Sequence, residues 1–161
     1  MYAEIWNFAK PYLVGCAFAF VIGQPVIFLT VNLLYRSLGL PFLSRHGAWH
    51  SIILGLTELA LYIGALIAHK PEFIAVWLAK QHGVEQKYVY GRNAYNIFLL
   101  GNALVVLFAA FGWKVIEFAK NNAWSQVFGL AGAVIVGSVV LVLLALFSPK
   151  YPPVTAPPAK P

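Results

Sequence analysis

From position 11 to position 35 the chain runs for 25 residues without a Lys, Arg, Asp or Glu. As a helix such a run is about 37 Å long, more than the roughly 30 Å of a bilayer's hydrocarbon core. Lipid offers no hydrogen bonds, so a spanning segment has to satisfy its own backbone, and a single isolated run does so as an α-helix. Three more runs follow: 51–68, broken only by Glu58, then 93–113 and 121–149. This pattern predicts an all-α fold, an integral membrane four-helix bundle with spans at about 11–35, 51–68, 93–113 and 124–147 inside one domain of residues 1–147. Composition agrees, with 61% hydrophobic and 10% charged residues, against roughly 45–50% and about 25% in a soluble domain.

The charges sit between the runs. In 70–92, Lys70, Lys80, Lys87, Arg92, Glu72 and Glu85 surround an apolar stretch, 73–79, that is too short to span. An interfacial amphipathic segment along the headgroups, in the loop between helices two and three, is expected there. Lys114, Glu117 and Lys120 mark a tight turn between helices three and four, and the six prolines of 148–161 predict an extended C-terminal tail. Trp49, Trp77, Trp113 and Trp124 fall near span ends, where indoles prefer the interface. Lys10, the four cations of the middle loop, Lys150 and Lys160 outnumber Arg36, Arg45, Lys114 and Lys120, which predicts a multi-pass protein with N- and C-termini in the cytoplasm.

Several chemistries are excluded early. Cys16 is the single cysteine, so neither an internal disulfide nor a cysteine zinc site can form. Leu13-Val14-Gly15-Cys16 looks like a lipoprotein cleavage box, but the apolar run follows the cysteine, and the first helix is expected to stay in the membrane. The net charge of +6 comes from scattered residues, which suits anionic lipid headgroups and not nucleic acid. His46 and His50 have i, i+4 spacing but no acidic third ligand in their loop, and about 28 Å of helix would separate His50 from His69. No metal or other cofactor is expected. No phosphate loop, Ser-His-Asp set or paired carboxylates occur, and five glutamates with no aspartate leave little for acid–base catalysis.

Membrane helices associate through close packing, which favours small residues spaced by four. Helix one carries Gly15, Ala19 and Gly23, helix two Ala60, Gly64 and Ala68, and helix four Gly129, Ala133 and Gly137. Glu58 lies near the middle of helix two, where an ionisable group costs about 2.5–3.5 kcal/mol or more unless paired, protonated or wet. It stands 200° from Ala60 on a helix of 100° per residue, so helix two is expected to need shelter on two sides. Gln24, Asn32, Asn96 and Asn102 carry amides able to donate to it. Three roles stay open for Glu58: interhelical glue, a proton-relay or ligand-binding carboxylate, and a contact to another subunit. Arg92-Asn93-Ala94-Tyr95-Asn96 opens helix three, and its Arg92 and Tyr95 suit either a lipid phosphate or a snorkelling anchor.

The size, the four-helix layout, Glu58 on the second helix and the group from Arg92 to Tyr95 resemble the membrane-associated eicosanoid and glutathione metabolism family, which are small trimeric enzymes. The resemblance stops there, because Gly55 stands where that pattern has asparagine and the arginine before the glutamate is missing. The residues themselves lead to a non-catalytic accessory subunit of a larger membrane complex, stabilising other membrane subunits, a homo-oligomer or bound membrane lipids. The alternative is a small membrane enzyme or lipid-binding protein with a site at Glu58, Asn32, Asn96 and Asn102, between helices one, two and three.

Overall fold

The computed structural model describes residues 2–39, 45–85 and 91–148, and these are helical almost throughout. Helix α1 (Tyr2–Phe18) passes through a π-helical turn, Ala19–Gly23, into α2 (Gln24–Ser37). Then come α3 (Arg45–Ile67), α4 (Glu72–Glu85), α5 (Gly91–Lys120) and α6 (Trp124–Leu146). Four stretches are long and apolar enough to cross a membrane: Glu4–Ser37, Trp49–Ile67, Tyr95–Lys120 and Trp124–Leu146. The helices exceed the uncharged runs because long cationic side chains at the borders can lie along the helix and keep their charge in water. Lys114 and Glu117 accordingly belong to the last turns of α5, not to a turn, and bond each other at 2.7 Å. The turn proper is Asn121, Asn122 and Ala123.

Helix α5 is the centre of the bundle and touches α1, α2, α3 and α6. Its closest approach is to α1. A Cβ added to Gly15 would meet the Ile116 side chain and stand 2.5 Å from the Gly112 carbonyl oxygen, while one on Gly112 would lie 3.1 Å from the Ala19 Cβ. At Gly23 the Phe108 ring comes within 2.9 Å of the same position. The small stripe of helix one is thus the surface on which α5 lies, with Gly112 as its counterpart.

The other two stripes face away from the chain's own core. Ala60, Gly64 and Ala68 are exposed, and the buried face of α3 is the opposite one, with Gly55, Glu58, Leu59, Tyr62 and Ile63. By the described residues α3 is therefore sheltered on one side, not two. Among the described residues Gly129 and Gly137 have nothing within 4 Å of an added Cβ, and Ala133 and Gly137 border an open apolar groove between α5 and α6. Spacing by four shows that a helix can be approached closely; it does not name what approaches.

The direction of the helices departs from an up-and-down bundle. Gly15 faces Gly112 and Gly23 faces Phe108, so α1–α2 and α5 are antiparallel. Ile63 also packs at Gly112, and Gly55 packs against Gln24, so α3 and α5 run the same way. The connection 68–90 therefore carries the chain from one end of the bundle back to the other. Helix α4 lies within it, with Ile74 buried, Trp77 and Leu78 half-buried, and Phe73 and Val76 exposed. Lys10 of α1 lies over the ring of Trp124, which places the start of α6 beside the start of α1. The two described ends of the chain consequently lie at opposite ends of the bundle, and a shared side for both termini does not follow from this arrangement. Among the described residues, Lys10, Lys70, Lys114 and Lys120 stand at one end and Arg36, Arg45 and Arg92 in helices at the other, with Lys80 in α4.

Candidate functional site: a polar cleft between three helices

The site begins with a local backbone event. Pro25 has no N–H and its ring collides with the carbonyl four residues back, so a regular α-helix cannot run through it undisturbed. The ladder widens instead, with the Gln24 N–H bonding to the Ala19 oxygen five residues back across the π-helical turn. Such turns inside α-helices are frequent at functional sites. Directly after it, Gln24 points towards α3, where its Nε2 donates to the Ile52 carbonyl oxygen at 3.3 Å. Gly55 makes room, since a Cβ there would stand 2.7 Å from the same amide.

Gln24 lines one wall of a cleft of about 240 Å³ between α2, α3 and α5. Asn32 and Tyr35 extend that wall, Ser51 and Glu58 come from α3, and Asn102 comes from α5. The remainder is apolar or glycine, including Phe28, Leu54 and Phe98. Gln24, Asn32, Glu58 and Asn102 are each less than 9% exposed. Glu58, the costliest group in the span, therefore faces neither lipid nor a sealed apolar core. It faces amides across an open cleft.

Two of those amides are incomplete. Gln24 Oε1, an acceptor, and Asn102 Nδ2, a donor, are buried without a hydrogen-bond partner among the described residues. A buried polar atom left unpaired costs about 1–3 kcal/mol, so native proteins pair nearly all of them. One turn beyond Glu58 on the same face, the hydroxyl of the fully buried Tyr62 is also unpaired.

Of the residues expected at the site, the structure brings together Glu58, Asn32 and Asn102. It does not bring Asn96, which is exposed. Six residues separate Asn96 from Asn102, which on an α-helix is a rotation of about 240°, so only one of the two can face α3. Tyr95 is half-buried and not part of the cleft wall, and the side chain of Arg92 lies outside the described residues. Gln24, expected only as a hydrogen-bond partner of Glu58, turns out to form a wall of its own. Gly55, Ser51 and Tyr35 were not anticipated, although Gln24-Pro25 in mid-span was a visible signal of a helix disturbed at a polar residue. Among the described residues no group of three His, Cys, Asp or Glu side chains assembles. The chain matches no protein-family model, no curated protein and no solved structure.

Proposed function

We propose that this protein binds an amphiphilic ligand inside the membrane, in the cleft between α2, α3 and α5. The observation that carries this reading is the pair of orphaned groups: an acceptor on Gln24 and a donor on Asn102, bordering one cleft with the Glu58 carboxyl. A ligand head that both donates and accepts, such as a hydroxyl or an amide, would satisfy both once the two buried amide groups turn into the cleft, and the apolar lining suits a hydrocarbon body. At about 240 Å³ the cleft falls just below the roughly 300 Å³ of drug-sized sites. A short amphiphile, or the head end of a longer one, fits that space.

The test is photolabelling of the full chain in nanodiscs with a diazirine-bearing long-chain alcohol, followed by peptide mapping. Labels concentrated near Leu54, Phe98 and Val105, reduced when Glu58 becomes Gln, are the expected result. Labels spread over the outer face of α6 alone, with none in the cleft, would overturn the reading.

A second reading rests on the outward stripes of α3 and α6. Small residues with open space above them, Gly64 and Gly129 among them, let a partner helix approach closely. This supports a membrane-complex subunit or a homo-oligomer, the two forms in which an accessory role would be exercised.

A further inference from the structure

We infer that a second site, at the end of the bundle where α1 meets the α5–α6 turn, binds a phosphate group. A cavity of about 590 Å³ opens there, lined by Asn7, Lys10, Tyr12, Lys120, Asn122 and Trp124. The site draws on three elements, and its two ammonium groups are held crosswise. Lys10 of α1 lies 4.8 Å from the centroid of the Trp124 ring of α6, and Lys120 of α5 lies 4.3 Å from that of Tyr12 of α1. Each aromatic face fixes a cation belonging to another helix, which orders both side chains before any anion arrives.

Neither ammonium has a carboxylate within ion-pair distance among the described residues; the exposed pairs at this end are Lys70 with Glu72 and Lys114 with Glu117. Two cations therefore line one cavity with their charge unanswered. The surroundings favour an anion further. Asn7 and Asn122 supply amides able to donate, and α6 begins here on Ala123, which gives its first N–H groups no side-chain cap. Helix N-termini attract anions for this reason, although here the effect only adds to the two lysines. Trp124 and the turn between two spanning helices place the cavity at headgroup depth. A phosphodiester whose headgroup has no balancing cation, or a phosphate monoester carrying up to two negative charges, matches the two lysines, whereas the trimethylammonium of a choline headgroup is repelled by them. This site lies at the opposite half of the bundle from the cleft beside Asn32 and does not depend on that cleft being occupied.

The two sources of such a group, a lipid headgroup and free phosphate, are separated by one experiment. The purified full chain is mixed in detergent with phosphatidylglycerol, with phosphatidylcholine or with inorganic phosphate, and retained adducts are counted by native mass spectrometry. The unaltered protein should retain phosphatidylglycerol at least about tenfold over phosphatidylcholine, a ratio in keeping with about 1 kcal/mol for each basic side chain near a lipid surface. Lys10→Gln with Lys120→Gln should abolish that preference. Lys10→Arg with Lys120→Arg, which keeps the charge, should preserve it, as should Lys70→Gln with Lys114→Gln. Displacement of the lipid by millimolar inorganic phosphate assigns the site to a free phosphate, and resistance assigns it to a headgroup. Equal retention of both lipids with no phosphate adduct, or equal losses in the cavity pair and in the Lys70 and Lys114 pair, would overturn the proposal.

Discussion

Replacing Gly15 by alanine adds one methyl group where α1 and α5 touch. Its Cβ would lie 2.5 Å from the Gly112 carbonyl oxygen, and ordinary contact begins at 3.4 Å, so the helices have to part by about 3.4 − 2.5 = 0.9 Å. The obstacle is backbone, which cannot rotate aside as the Ile116 side chain could. A gap of 0.5–1 Å forfeits about a quarter to a half of the dispersion energy of the atoms facing it, and overpacking of this kind costs about 1–3 kcal/mol. Gly64→Ala supplies the reference, because its Cβ meets nothing within 4 Å among the described residues. Both substitutions improve helix propensity by up to about 1 kcal/mol, so the difference between them isolates the packing term. In an SDS unfolding titration followed by tryptophan fluorescence, Gly15→Ala should fall below Gly64→Ala by about 1–3 kcal/mol. Equal midpoints would refute the view that this glycine is a contact surface and not merely a small residue in a membrane helix.

Two further outcomes follow from single contacts. Gly55→Ala should expel the Gln24 amide from its place, break the bond to the Ile52 oxygen and cost about 1 kcal/mol in the same titration; photolabelling of the cleft should fall with it. Lys114→Ala removes an exposed i,i+3 pair with Glu117 and should change stability by no more than about 0.5 kcal/mol, despite the 2.7 Å contact; a loss above about 1.5 kcal/mol would show that the pair is shielded from solvent.

The four spans were readable because hydrocarbon thickness imposes a minimum length on any uncharged run, whatever the tertiary fold. The burial of Glu58 was readable for a similar reason, since its cost in lipid holds for every arrangement of neighbours. What faces it was not, because Asn96 and Asn102 are equally polar and differ only in their phase around α5. That phase is set by Gly112 and Ile116 meeting α1 at the far end of the helix. The same limit applies to the small stripes: Gly15 finds Gly112, while Gly64 and Gly129 find nothing among the described residues. Helix direction was hidden in the connection 68–90, whose lysines and short apolar stretch look alike whether the segment stays at one interface or returns the chain across the bundle.

That returning connection bears on the order in which the molecule assembles. Neighbouring antiparallel spans can close on each other as soon as the second is made, but α3 and α5 are parallel, and α1 finds its tightest contact a hundred residues away in α5. Such distant pairing carries a large loop-closure entropy and slows folding. Until ribosomal synthesis has passed Lys120, the glycine face of α1 lacks the α5 surface that covers it, while Gln24 can already tie α2 to α3 through the Ile52 oxygen. The contact between Gly15 and Gly112 thus forms only after the third spanning stretch has been made, late in the life of the nascent chain.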